Sequence, residues 1–286
     1  MIDLHTHSRA SDGSMTPSEL IAHAVERGLS ALALTDHDSV AGNAEAASAA
    51  GRAGIRFIPG VELDISWKRG ECHVLGLGLA RPSASLNALL EGQVMARNAR
   101  NAEIVSLMRK DGIDIDLERV AALAGGDVVG RPHFAEYLVS VKKVKNRQQA
   151  FDRYLAKDRP YYMDRSGIPL DEGISAIRDS GGVPVLAHPL SLYVSWGKIG
   201  EVLRDFAARG IAGLEAWHPA ARVVECERLE RLARELGLCV TAGSDFHGAA
   251  RPDRKLGRTA GRRDIDDRFL NESLSALLEE SERALG

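Results

Sequence analysis

Cysteine is scarce in this chain: Cys72, Cys226 and Cys239 are the only three among 286 residues. So few and so scattered, they exclude a disulfide framework and a thiolate zinc site, and they suit a reducing cytoplasm. Aromatic residues reach only 5%, too few for a surface of stacking platforms along a nucleic-acid single strand. No stretch approaches the ~20 apolar residues needed to span a bilayer. The start, Met1-Ile2-Asp3-Leu4-His5, lacks the basic and apolar segments of a secretory signal. Neither charge sign dominates: 37 Lys+Arg against 40 Asp+Glu give a net charge of -3. A membrane or duplex-DNA partner is therefore not expected, and any anion site must be local. What remains, 44% hydrophobic and 27% charged residues, is an ordinary globular chain, long enough for one large domain with a smaller insert.

Strand and helix patterns alternate at both ends of the chain. Ile2–Leu4 reads as a strand, and Thr16-Pro17-Ser18-Glu19 as a capping box opening a helix. That helix should bury Leu20, Ile21, Ala24 and Val25 and stop at Gly28. Strands are predicted at 31–34, 55–58, 61–63 and 73–79, with a helix at 42–53 and a hairpin turn at Trp67-Lys68-Arg69-Gly70. One or two long helices occupy about 82–111, and helical patterns continue to 164 without a convincing strand. Alternation then resumes: helix 170–180, strand 183–187, helix 199–209, strand 212–216, helix 226–236, strand 238–242, and a final helix 271–285. Repeated βα units favour a largely parallel sheet, open or closed into a barrel. The expected organisation is a barrel from 1–81 and 165–286, interrupted by a helical insert at 82–164 that contributes to the substrate pocket.

Seven of the nine histidines sit at predicted strand ends: His5, His7, His37, His73, His188, His218 and His247. His23 lies within a helix, where a surface role is ordinary, and His133 within the insert. Asp12, Asp36, Asp38, Glu62, Glu215 and Asp245 share the strand ends. A lone histidine there is usually a polar rim residue. A barrel, however, gathers its strand ends at one mouth, and this many imidazoles and carboxylates serve neither packing nor solubility. His5 with His7, and Asp245 with His247, are two residues apart, so each pair can point one way. Imidazole and carboxylate without thiolate suits zinc, manganese, iron or cobalt, and there are more donors than one tetrahedral ion can use. Glu62 is a natural bridge between ions. Cys72, alternating with His73, should face the core.

His5-Thr6-His7 with Ser11-Asp12-Gly13, Thr35-Asp36-His37-Asp38, Gly60-Val61-Glu62, Cys72-His73-Val74, Ala187-His188-Pro189 and Gly243-Ser244-Asp245-Phe246-His247 together resemble the PHP (polymerase and histidinol phosphatase) domain in order and spacing, over about residues 2–257. The resemblance implies an α/β fold, a distorted (β/α)7 barrel, with two to three divalent ions, manganese foremost, zinc or iron next. Carried over by motif, His5, His7, Glu62 and Asp245 hold one ion, Glu62, His73 and His188 a second, and Asp12, His37 and His247 a third. Within the family, Gly130-Arg131-Pro132-His133 and the arginine-rich helix 93–101 resemble the stand-alone bacterial branch. That branch removes the 3'-phosphate of nucleoside 3',5'-bisphosphates and trims short 5'-phosphorylated RNA in the 5'-to-3' direction.

Such chemistry needs no side-chain nucleophile, because a metal-bound hydroxide attacks phosphorus. His218 and Asp36 are candidates to move a proton, although Asp36 fits better as an orienting partner of a ligand. Arg97, Arg100, Arg131 and His133 are candidates to hold a second phosphate, since guanidinium matches phosphate bidentately. Arg97 and Arg100 could equally lie on a solvated helix face. The competing readings are a histidinol-phosphate or other small-molecule phosphatase, a metal-dependent amidohydrolase, and a non-catalytic metal-stabilised module.

Overall fold

The structure is a computed structural model and describes residues 1–124, 128–163 and 167–284. It divides into two compact units, Met1–Leu90 with Gly167–Gly286, and Glu91–Ser166. The boundary anticipated at 164/165 lies outside the described residues.

The first unit is built on seven strands in the order of the chain: β1 (Ile2–Asp3), β2 (Ala31–Leu34), β3 (Arg56–Ile65), β4 (Cys72–Leu77), β5 (Val183–Leu186), β6 (Gly213–Trp217) and β7 (Cys239–Ala242). The segments anticipated at 55–58 and 61–63 form one strand, because Pro59 stands where no interruption results: Leu34 pairs with Pro59 and the ladder continues. All neighbours are parallel except at β4, which runs antiparallel to both β3 and β5. Beyond β1 and β7 the ladder goes on: Thr6 pairs with Phe246, and Asp245 N–H donates to His5 C=O at 3.0 Å. These contacts join the first strand to the last and nearly close the sheet into a barrel.

Helices α1 (Pro17–Glu26) and α2 (Asn43–Ala53) cover β2, burying Leu20, Ile21 and Ala24 against Ala46, Ala49 and Ala50. Thr16 and Glu19 form the anticipated capping box. Val25 does not join this face: it is 45% exposed, having rotated one position past the apolar stripe. After α3 (Ala84–Lys110), which begins in the first unit and ends in the second, the second unit adds α4 (Leu117–Ala124), α5 (Arg131–Ser140) and α6 (Arg147–Ala150), the last continuing as one wide turn to Leu155. Its own core centres on Ile104, Met108, Phe134, Leu138, Leu155 and Tyr161. Among its described residues there is no strand.

The barrel resumes with α7 (Leu170–Asp179), α8 (Ile199–Arg209) and α9 (Val223–Glu235) between its later strands. The expected C-terminal helix is broken into α10 (Arg268–Asn271) and α11 (Leu274–Arg283), and position 285 lies outside the described residues. Cys72, Cys226 and Cys239 are buried and unbridged. No helix among the described residues is long and apolar enough to cross a membrane.

Candidate active site

Why the histidines meet follows from strand direction. His5, His7, His37, His188, Asp245 and His247 follow the C-terminal ends of parallel strands. His73 is near the start of its strand, but β4 is reversed, and pairs Asp64 with His73, so its start lies at the same mouth. Glu62, inside β3, is fully buried at the centre. Its Oε1 is 2.8 Å from His73 Nδ1 and 3.0 Å from His188 Nε2. Its Oε2 is 3.2 Å from His5 Nε2, 3.2 Å from His7 Nε2 and 3.1 Å from His37 Nδ1. One carboxylate thus faces two separate sets of imidazoles, one on each oxygen. Asp245 Oδ1 adds contacts at 3.5 Å to His7 Nε2 and 3.4 Å to His247 Nδ1, and Asp12 Oδ1 lies 3.2 Å from His247 Nε2.

Many of these contacts are poor hydrogen bonds. His7 Nδ1, His37 Nδ1, Glu62 Oε2 and His247 Nε2 are buried and make none. Buried lone pairs that converge without sharing protons are costly unless a cation takes them. Among the described residues, donor atoms within 4.8 Å of one another form four overlapping groups: His7, Asp12, His37 and His247; His5, His7 and Asp245; His5, Glu62 and His188; His37, Glu62 and His73. The donor set, imidazole and carboxylate only, fits borderline divalent cations. Two of its members are held in strained backbone, His188 at φ 25° and Asp245 at φ 52°, a conformation that surrounding structure must enforce.

Electrostatics point the same way. Burial alone would raise the Glu62 carboxyl and lower the His7 imidazole. Instead the imidazoles His37, His5 and His73 hold Glu62 well below the usual carboxylate range. Asp245 and Glu62 push His7 up to about 9. His5 and His7 are thus held toward the protonated form when no metal is bound, while burial pushes His37 the other way.

The PHP domain family matches residues 3–156 of this chain, just over half its length. The chain belongs to the PHP family. A curated relative from Haemophilus influenzae, a 5'-3' exoribonuclease, is 37% identical over 86% of this chain and 89% of its own. A 3',5'-nucleoside bisphosphate phosphatase from Chromobacterium violaceum is 34% identical over 90% and 91%. Among solved structures, an amidohydrolase from Chromobacterium violaceum with bound sulfate and no metal superposes at a TM-score of 0.84, with 33% identity over 96% of each chain. A proposed metal-dependent phosphoesterase from Bifidobacterium adolescentis gives 0.83, with 30% identity over 96% of this chain and 95% of its own.

Around this PHP centre sit residues that hold the donors in place. Asp36 is not a free acid. It accepts from Ser8 N–H at 2.7 Å, Ser8 Oγ at 2.7 Å and Ser11 Oγ at 2.6 Å, which fastens the turn leading to Asp12. Glu215, noted in the sequence only as a strand-end carboxylate, holds His5 Nδ1 at 3.0 Å and accepts from His188 N–H at 2.8 Å. A charged residue inside the apolar strand β6 was the signal for it. Asp3 accepts from the backbone N–H of Ser244 and Gly257 at 2.9 and 2.8 Å, pinning β1 to the Asp245 loop. His218 is buried. Ala220 N–H donates to its Nδ1 at 3.2 Å, leaving the proton on Nε2, which faces Asp245 Oδ2 at 3.4 Å. Burial holds its pKa below the ordinary histidine value.

The four residues anticipated as a phosphate handle belong to the helical unit. Arg97 and Arg100 lie on α3. Arg131 opens α5 with its guanidinium over the Tyr162 ring, and His133 Nδ1 accepts from Gly130 N–H at 3.0 Å, capping that helix. His23 pairs with Glu26 at 3.5 Å on α1, away from the donor groups.

Gly243 makes a direct test of how tightly the PHP centre is built. A Cβ there would lie 2.2 Å from His5 Cβ and 2.5 Å from Glu215 Oε1. Neither can yield, since both are buried and bonded to each other. Gly243→Ala is expected to cost about 1–3 kcal/mol of stability and to weaken metal binding, read by urea unfolding and metal titration. Unchanged values in both would mean that His5 is not fixed as described.

Proposed function

We propose that this protein is a metal-dependent phosphoesterase that removes the 3'-phosphate of nucleoside 3',5'-bisphosphates and also trims short 5'-phosphorylated RNA, releasing mononucleotides from the 5' end. The observation that carries it is Glu62, buried, with both oxygens committed to separate imidazole sets beside Asp245 and Asp12. We assign it two to three divalent ions, manganese first and zinc or iron next. The holding residues are His5, His7, Glu62 and Asp245, then Glu62, His73 and His188, then Asp12, His37 and His247. The activities of the two curated relatives support the substrate class. A cytoplasmic address goes with that substrate and with three unbridged cysteines.

When bound, such ions lower the pKa of water and clamp the attacking and leaving oxygens of a phosphate ester. The chain's own residues do the rest. Glu215 and Ser191 orient the rings of His5 and His188, since each bonds the nitrogen that faces away from Glu62. Asp36 holds the Ser8–Ser11 turn. His218 stores a proton at Nε2 on the wall of a cleft of about 410 Å³ that also exposes His37, His73 and His188. That volume lies in the range of small-molecule sites, so a nucleotide enters whole and an RNA strand only by its end.

The test is a steady-state comparison of the metal-loaded protein on a nucleoside 3',5'-bisphosphate, the matching 3'-monophosphate, histidinol phosphate, a 5'-phosphorylated oligoribonucleotide and a panel of amides. A charged contact to the retained phosphate is worth roughly 1.5–3 kcal/mol. The bisphosphate is therefore expected to exceed the 3'-monophosphate by about 10- to 100-fold in kcat/KM. Faster turnover of amides or histidinol phosphate would replace this reading with one of the competing ones.

A further inference from the structure

We propose that Arg251 and Arg254, in the loop after β7, form the subsite for the phosphate that the enzyme leaves on its nucleotide. The inference rests on the function proposed above and places the handle on the barrel itself.

Asp245 divides its two oxygens. Oδ1 faces the donor cluster, with His7 Nε2 at 3.5 Å and His247 Nδ1 at 3.4 Å. Oδ2 faces the other way, toward Arg251 Nη1 at 2.9 Å, His218 Nε2 at 3.4 Å and Arg254 Nε at 4.0 Å. Both arginines line the same cleft as His37, His73, His188 and His218. The cleft thus has an imidazole–carboxylate wall and, across the width of one carboxylate, a wall with two guanidinium groups.

The two arginines are underused by the protein. A guanidinium has five N–H donors, and Asp245 takes one from Arg251, whose side chain is still 49% exposed. The Arg254 side chain is only 13% exposed, and its Nε is buried without a hydrogen bond. Asp253 Oδ2 is 3.5 Å from that nitrogen but 72% exposed, so water screens it. A buried N–H without an acceptor costs free energy, and a bound anion removes that cost. Two guanidinium groups share one carboxylate oxygen, Asp245 Oδ2, and the other carboxylates of the cleft, Glu71 and Glu215, make no ion pair with either of them. The loop is fastened, with Ala249 N–H on Ser14 Oγ at 2.8 Å and Arg254 N–H on Arg251 C=O at 3.1 Å. Fixed guanidinium groups beside a metal-binding wall suit a substrate with two phosphates: one reaches the metal-ligand cluster and the other takes the bidentate fork.

The experiment measures kcat and KM of manganese-loaded wild type, Arg251→Ala, Arg251→Lys, Arg254→Ala and Arg131→Ala. The substrates are a nucleoside 3',5'-bisphosphate, the matching 3'-monophosphate and phenyl phosphate. Metal content and thermal unfolding confirm that each variant is folded and loaded. Arg251→Ala and Arg254→Ala are expected each to shrink the bisphosphate-to-monophosphate ratio by about tenfold, chiefly through KM, with Arg251→Lys restoring part of it. If wild type prefers the bisphosphate and both alanine variants keep the whole ratio, the subsite is elsewhere; loss of the ratio in Arg131→Ala alone would put it in the helical unit. An equal fall on all three substrates would make Arg251 a positioning residue for Asp245 and overturn the subsite. A wild type with no preference for the bisphosphate refutes the proposed substrate instead, independently of the arginines.

Discussion

Glu62→Ala is expected to lower activity by more than about 100-fold and to remove at least one bound ion per chain. The magnitude follows from comparison. Partners that merely orient a metal ligand cost 10- to 100-fold when removed, and Glu62 sits between five imidazole nitrogens rather than behind one. Its loss also leaves His5 and His7 buried together without the carboxylate that compensates them, so these rings repel as they protonate. Glu62→Gln keeps the volume but replaces one oxygen with an N–H2 group. One imidazole set then meets a donor where it met an acceptor, and the variant should lose ions nearly as fully as alanine does. His23→Ala, on the surface of α1, is the matched control. Elemental analysis after reloading with manganese, alongside turnover, reads both effects. Full metal content and activity in Glu62→Ala would remove Glu62 from the centre.

Stripping the metal with a chelator should abolish turnover and lower the unfolding temperature, and the size of that shift should grow with pH. Ligand held at a thousandfold excess over its Kd stabilises a fold by about 4 kcal/mol. Protons compete for the same nitrogens. Without metal, Asp245 and Glu62 raise His7 to about 9, against an ordinary value of 6.5. A raised pKa contributes stability to the metal-free fold that is complete below pH 6.5 and is lost as pH rises through 9. Metal must displace that proton, so affinity climbs over the same interval. The metal-free protein therefore weakens between pH 6.5 and 9, while the loaded one, whose His7 is proton-free like that of the unfolded chain above pH 6.5, stays level, and the gap between them widens. Calorimetry of both forms at the two pH values checks this, and a smaller metal-induced shift at pH 9 would contradict it.

Much of the centre was legible because its signals are local. The His5/His7 and Asp245/His247 spacings are properties of a strand end, and a barrel gathers strand ends whatever their separation in the chain. The hairpin at 67–70 foretold a strand turned back on itself, which is how His73, at the start of β4, reaches the mouth. What could not be read depends on neighbours distant in sequence. Asp36 read as an orienting residue, but that Ser8 and Ser11 are what it fastens shows only in the fold. Val25 matched a helical stripe but fell one position outside it. His133 read as a ligand-binding residue, and the cap that its Nδ1 makes on its own helix was not foreseen. Arg251 and Arg254 sit in an irregular loop with no periodicity to place them, and only the folded cleft brings them to Asp245.

The seam between the first and last strands also sets an order of events during folding. Ser244 N–H meets Asp3 across 241 residues of chain, about as non-local as a contact here can be. Contacts of such range form late, because their entropy must be met before they return anything. His5 and His7 lie on one side of that seam, Asp245 and His247 on the other. A nascent or partly folded chain therefore offers only fragments of the donor set, with His37, Glu62 and His73 already near one another but their partners absent. Full affinity for divalent ions arises with barrel closure, so metal uptake acts as a timer that marks completion of the fold rather than as a template for its early steps.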